Sequence, residues 1–484
     1  MFNGRFAELP VFFLLSERNI RLSESLTNIR IEHDLLGELA LPADCLWGIH
    51  TERARRNFPL SGAPVSPRLI RAYARVKKAC CLANEELGFL DANVAAALAA
   101  ACDDVAAGGH AEAFPLDALQ GGAGTSTNLN LNEVLANLAL DRLGHPRGSW
   151  QVVHPLDHVN RHQSTNDTYP TALKIAAILA LHETSAAFQS LQGALQRREQ
   201  AFAPIAALGR TEGIGAVPMS LGQMFGADAE AVSRDRWRTF KCEERLRTVN
   251  LGGTAVGNGL AAPRAYIFLA IEKLRQVTGL GLSRAENLPG ETAHVDAFVE
   301  VSGILQAAAT NLIKISRDLR LLHMLGEIRL PAVQAGSSIM PGKVNPVILE
   351  SVIQAGMRVC AENTLVAQCA AQGTLQICEY LPLLAQALLS SLDLLIAAAG
   401  MLATHVDGIE ADPAVCARHL AASPGIVTAC VPLIGYEAST ALMQRGTAAG
   451  VTDWRAFLEH ELGAEKVSEI LRPEALLALG TCRA

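Results

Sequence analysis

The chain reads as a mainly α-helical protein organised around a long helical bundle, and three observations predict this. Half of its 484 residues are hydrophobic but only 5% are aromatic. Ala and Leu dominate the apolar set, which favours close-packed helices over sheets. Prolines punctuate the chain at wide intervals, leaving Thr171–Ala203, Met219–Ala262, Gly290–Leu330, Val347–Leu381 and Leu383–Asp412 free of them. Within one of these stretches Val301, Leu305, Ala308, Leu312, Ile315, Leu319 and Leu322 recur at steps of 4, 3, 4, 3, 4 and 3, the seam of a bundle helix. A helix of about 30 residues spans about 45 Å. Several such helices present more apolar face than one chain can cover, so self-association is expected.

In chain order, residues 1–28 read as an N-terminal extension outside the folded body. The run Leu9–Leu15 is apolar, but it contains Pro10 and is too short to span a membrane. Ile29 to Gly62 is irregular, broken by Pro42, Gly48 and Pro59. Leu69–Gly88 has the pattern of an amphipathic helix, and Asp91–Gly108 that of a second, Ala-rich one. The stretch Gln120–Asn128 places small hydroxylic residues ahead of the helix-forming run Leu129–Leu143, a setting in which side chains and free N–H groups meet an anion. Arg445–Ala484 reads as short helices. The expected division is an N-terminal helical domain over 29–162, a central long-helix domain over 163–412 and a small C-terminal helical domain over 413–484.

The net charge of −7, with no basic tail, argues against a nucleic-acid partner. Eleven scattered cysteines without a CxxC pair fit reduced thiols in the cytoplasm. His154, His158 and His162 fall at i, i+4 and i+8, as on a metal-binding helix face, but neither paired cysteines nor HExxH accompanies them, and no metal is expected. Gly121-Gly122-Ala123-Gly124 lacks the GK[ST] of a nucleotide loop, and no cofactor is expected.

The most informative stretch is Gly336-Ser337-Ser338-Ile339-Met340-Pro341-Gly342-Lys343-Val344-Asn345-Pro346. Its glycines and prolines exclude helix, yet it lies between two long helix-period segments. Paired hydroxyls, backbone N–H groups and one ammonium suit an anion, most simply a carboxylate. This loop resembles the GSSxMPxKxNP signature of the aspartase/fumarase superfamily, and the resemblance runs from about Ile31 to Thr428. Gln120–Asn128 is similar to the family's GGAGTSTN segment, and Gln163-Ser164-Thr165-Asn166-Asp167 to its second signature. Arg210-Thr211-Glu212 with Leu221-Gly222-Gln223 is similar to its third, but Glu212 stands where the family has histidine.

The resemblance implies a three-domain fold with a long central bundle, packed as a homotetramer whose active sites are shared between subunits. It implies a carbon–nitrogen lyase that eliminates ammonia from L-aspartate to give fumarate through an aci-carboxylate, with Ser337 as base. Thr125, Ser164, Thr165, Thr211 and Ser338 would bind substrate carboxylates, with Ser126 and Asn128 beside them. Lys343 and Asn345 would hold the second carboxylate, and Asn166, with Thr125, would face the leaving amino group. Glu212 and Glu350 would occupy the positions of the family's His–Glu pair, where two carboxylates repel unless one is protonated or neutralised by a cation. Two alternatives stay open: a lyase of the same mechanism with another leaving group, either from N-substituted aspartate or in fumarase-type hydration, and a non-catalytic structural member of the family.

Overall fold

The computed structural model describes residues 29–478 and 480; the N-terminal extension read at 1–28 lies outside them. The irregular stretch after Ile29 is a short antiparallel hairpin, β1 (Ile29–Asp34) and β2 (Gly37–Pro42), followed by helix α1 (Ile49–Asn57). Helix α2 (Pro67–Glu86) starts on a proline, whose missing N–H has no partner to lose in a first turn. Helix α3 (Ala92–Ala106) is capped by Asp91, whose carboxylate accepts from the Asn93 and Val94 amides. Helix α4 (Thr125–Leu143) follows, most of it buried.

The bundle is built from α5 (Thr165–Phe202), α6 (Leu221–Leu246), α9 (Asp296–Met324), α10 (Val347–Ala371) and α11 (Leu381–Asp407), with α7 (Arg264–Thr278) and the short α8 (Leu288–Ala293) between α6 and α9. The 38-residue α5 begins before the proline-free stretch and carries Pro170 inside it. Proline leaves the Asn166 carbonyl without its helical donor. The Asn250 side-chain amide takes that place, donating to the Asn166 carbonyl at 2.9 Å. In α9 the expected seam is buried at Val301, Leu305, Ala308, Leu312, Ile315 and Leu319. Helix α11 is long and apolar enough to cross a membrane by length and composition alone, but most of it is buried between α5 and α10 as a core helix.

Side-chain pairs fix the helix directions. Arg68 bridges Glu183 of α5 and Asp393 of α11, and Arg197 pairs with Asp407 further along both helices, so α5 and α11 run parallel. Arg320 meets Glu350 at one end of α9 and Gln306 meets Asn363 further along, so α9 and α10 are antiparallel. The hairpin β3 (Ala206–Thr211) and β4 (Ile214–Ser220) follows the C-terminal end of α5.

One continuous hydrophobic core runs from Leu46 to Cys416. A second, smaller one gathers Leu208 of β3 with Leu420, Ile426, Trp454 and Leu458.

Candidate active site

The N-termini of α4 and α5 meet at one end of the bundle. Gly124 enters α4 at φ +90°, and a Cβ there would lie 2.3 Å from the Tyr169 ring, so the close approach of the two helices requires glycine. Thr125 is exposed at the first position of α4, Ser126 is half-buried, and Asn128 is buried. The Asn128 amide donates to Thr165 Oγ1 at 3.0 Å and to Asn160 Oδ1 at 3.1 Å. Ser164 caps α5: its hydroxyl oxygen accepts from the Asn166 amide at 3.2 Å, while Asp167 accepts from the Ser164 amide at 3.0 Å. The Asn166 side chain donates to the Ala255 carbonyl at 2.7 Å. Two residues without a role in the sequence reading lie beneath this surface. Burial raises the Asp167 carboxyl to about 6 against the amides of Ser164, Thr254 and Gly252. Burial lowers the Lys77 ammonium to about 8.

The signature loop is organised by its own backbone. The Gly336 amide donates to the Lys343 carbonyl at 2.8 Å, and the Asn345 side chain donates to the Gly336 carbonyl at 2.7 Å. Ser337 Oγ accepts from the amides of Ile339 at 3.2 Å and Met340 at 2.8 Å. Ser338 and Lys343 are exposed.

Thr211 and Glu212 stand exposed at the β3–β4 turn, where Glu212 holds the left-handed φ of +55°. Arg210, beside them, makes a bidentate ion pair with the fully buried Glu327, just ahead of the signature loop. Glu350 pairs with Arg320 at 3.3 Å. Arg320 is therefore the cation that answers one of the two expected carboxylates.

These groups fall into two sets. The α4 and α5 N-termini lie at one end of the bundle. The signature loop, which leads into α10, lies at the other, beside the C-terminal ends of α5 and α11. The 25 residues of α10 separate the two levels by roughly 35 Å within one chain.

The three histidines at four-residue spacing do not form a helix face. Residues Pro155–Val159 form a π turn. His154 Nδ1 accepts from the Leu156 and Asp157 amides, His158 Nδ1 accepts from the His154 amide, and His162 bonds to Asn84. Among the described residues no three His, Cys, Asp or Glu side chains gather as a metal-binding group. Lys77 received no role in the sequence reading because it sits at a helical position that periodicity assigns to packing, and Asp167 received none although it closes the Gln163–Asp167 stretch. Asp167 had one available signal, its place three residues after Ser164 in a capping box.

The helical bundle thus carries hydroxyl-rich helix N-termini and an amide-lined serine loop, groups suited to a carboxylate. A family model described as Lyase matches residues 37–361. Aspartate ammonia-lyase of Helicobacter pylori (strain ATCC 700392 / 26695) is 41% identical over 459 residues, covering 93% of this chain and 98% of that protein. Aspartate ammonia-lyase of Pseudomonas aeruginosa is 43% identical over 459 residues, covering 93% and 97%. A crystal structure of fumarate lyase:delta crystallin from Brucella melitensis bound to cobalt superposes with a TM-score of 0.88 at 43% identity, covering 92% of this chain and 99% of that one. The chain belongs to the aspartase/fumarase superfamily and is an enzyme of the lyase class.

Proposed function

We propose that this enzyme eliminates ammonia from L-aspartate to give fumarate. The observation that carries the reading is Ser337 in its loop. A free serine hydroxyl is far too weak an acid to act as a base near neutral pH. Here its oxygen already accepts two backbone amides, from Ile339 and Met340, which stabilise the alkoxide form. Ser337 removes the proton from the carbon next to the β-carboxylate. The resulting aci-carboxylate is held by fixed hydroxyls and amides, while Lys343, which supplies charge, and Asn345, which supplies direction, hold the second carboxylate. Thr125, Ser164, Thr165, Thr211 and Ser338 bind carboxylate oxygens through hydroxyls and amides, with Ser126 and Asn128 beside them, and Asn166 faces the amino group that leaves as ammonia.

The roughly 35 Å between the two sets supports a site completed across chains, the signature loop of one subunit meeting the α4 and α5 N-termini of others. We read the assembly as a homotetramer of three-domain subunits, divided near residues 162 and 412, working in the cytoplasm on a small dicarboxylate or amino-acid substrate.

Glu212 favours one second reading. It is an exposed carboxylate with no ion-pair partner among the described residues, at a position that faces the leaving group in the family. A carboxylate there suits a cationic amine, and it leaves room for a substituted amine in place of ammonia.

The test is the growth of fumarate absorbance on adding L-aspartate, with Ser337→Ala as control and a panel of amines added to fumarate in reverse. Fumarate from aspartate, lost by about 10²–10⁴-fold in Ser337→Ala, is the expected result. Silence with aspartate but addition of a larger amine would establish the second reading. Full activity in Ser337→Ala would remove the serine base.

A further inference from the structure

We infer that Lys77 is a positioning residue for the substrate: it fixes the Thr165 hydroxyl as a donor to a bound carboxylate. The inference rests on the dicarboxylate reading above and adds a residue remote from the reacting atoms.

The argument follows the direction of each hydrogen bond. Lys77, 1% exposed, donates to Asn160 Oδ1 at 3.0 Å and to Gln163 Oε1 at 2.9 Å. An ammonium has donors only, so it compels Asn160 to turn its carbonyl oxygen inward. That oxygen also receives the amides of Asn128 at 3.1 Å and Asn132 at 3.2 Å. With its NH₂ toward Asn160, Asn128 uses its other N–H on Thr165 Oγ1 at 3.0 Å. Thr165 Oγ1 is thereby an acceptor on its inner side. No acceptor for its hydroxyl proton is present among the described residues, so the proton is free to be donated to a carboxylate at the small part of Thr165, 7% of the residue, that stays accessible. The carbonyl oxygens of Asn128 and Asn132 are buried without partners, as follows when both NH₂ groups are drawn to Asn160 Oδ1.

Among the described residues no carboxylate stands within ion-pair distance of the ammonium, so its donors are spent on Asn160 and Gln163 and its effect reaches the substrate through them. The groups facing it are Tyr73, whose ring centroid lies 5.4 Å from Nζ, and Cys80, both on its own helix, Cys102 of α3 and Asp167 of α5; Tyr266 of α7 lies against Cys80, with His162 beside it. Burial raises Cys80 to about 12 and carries Cys102, Tyr73 and Tyr266 well above their ordinary values. Asp167 titrates at about 6, and burial holds His162 below its ordinary value. Between about pH 7 and pH 10, Lys77 is the member of this cluster that changes charge. A lysine with a lowered value is charged below about 8 and neutral above it. A neutral amine can also accept a hydrogen bond and no longer forces the Asn160 carbonyl toward it, so dianion binding through Thr165 is strongest below that value and weakens as pH rises through it.

The experiment is calorimetric titration of the full-length enzyme with succinate, an unreactive dicarboxylate, for wild type, Lys77→Met, Thr165→Val and the double variant. Lys77→Met is expected to weaken succinate binding by about 10- to 100-fold, the scale of one charge-assisted hydrogen bond. The double variant is expected to bind no more weakly than Thr165→Val, because Lys77 acts through Thr165. A purely structural lysine would instead give additive losses, and additivity overturns the inference. Where Lys77→Met does not fold, the wild-type pH profile decides. A fall in succinate affinity through about pH 8 supports the inference, and a flat profile from about pH 7 to pH 10 overturns it. Failure of the wild type to bind succinate at any pH refutes the dicarboxylate reading and takes this inference with it. Binding by wild type with no change in Lys77→Met refutes this inference alone.

Discussion

Replacing Arg210 with methionine is expected to destabilise the protein by about 3 kcal/mol. Glu327 is fully buried, and Arg210 supplies it with two charge-assisted hydrogen bonds, one of them 2.9 Å long from Nη1 to Oε2. His419 adds a third contact at 2.8 Å. Removing one partner of a buried pair leaves an uncompensated charge and costs about 3–5 kcal/mol. The low end applies because His419 remains and the Arg210 side chain is 21% exposed. Burial pushes the Glu327 carboxyl up, but the bonds from Arg210 and His419 outweigh it and hold the group below its ordinary value. A carboxyl lowered by folding contributes stability above its unfolded pKa, and that contribution is lost as pH falls through the lowered folded value. The difference between wild type and Arg210→Met should therefore be full at neutral pH and shrink in acid below the ordinary carboxylate range. Urea unfolding at a series of pH values, followed by tryptophan fluorescence, measures it. Trp454 lies in the small core beside Leu208 of β3 and reports on that region. A neutral-pH difference under about 1 kcal/mol, or one that does not change with acid, would refute the reasoning. The double variant Arg210→Met/Glu327→Gln should recover part of the loss, since it removes the stranded charge. Activity should fall in the single variant as well, because Arg210 adjoins Thr211 and Glu327 precedes the signature loop.

Other perturbations reach different parts of the molecule. Gly124→Ala should destabilise the protein and impair succinate binding, because its Cβ would meet the Tyr169 ring at 2.3 Å in a left-handed conformation; unchanged melting and binding would contradict this. His50 is raised by its hydrogen bond to Glu133, so its contribution to stability is present below the ordinary imidazole pKa and lost as pH rises through the raised value. His50→Gln should flatten the pH dependence of thermal unfolding in that window, and an unaltered profile would argue against the pair. Glu212→Gln should weaken the use of ammonia in the reverse direction more than the use of fumarate, measured as separate KM values; equal effects on both would place Glu212 away from the leaving group.

Much of the helical frame was legible because it is local. The 4-3 apolar rhythm from Val301 to Leu319 becomes the buried face of α9, since a single helix generates that period on its own. The start of α5 was hidden because Pro170 signals a break, and the group that makes the proline tolerable is Asn250, on another part of the chain. The hairpin at Ile29–Pro42 was also obscure, since both strands are short and the alternation of β1 is inverted, with Glu32 buried and Ile29 and Ile31 exposed. The hydroxyl-rich stretches were visible as chemistry. Their sorting into two ends of a bundle was not, because that depends on the antiparallel run of α9 and α10.

The sequence by itself determined the helical class, the family and the residue types that can hold a dicarboxylate, since these follow from composition, period and contiguous motifs. Tertiary structure alone decided that Asn160 faces Lys77, that Arg210 locks Glu327, and that Arg320 answers Glu350. The physical reason is common to all three. A side chain's hydrogen-bond direction and charge state are set by the groups it is buried against, and those groups lie 83, 117 and 30 residues away along the chain.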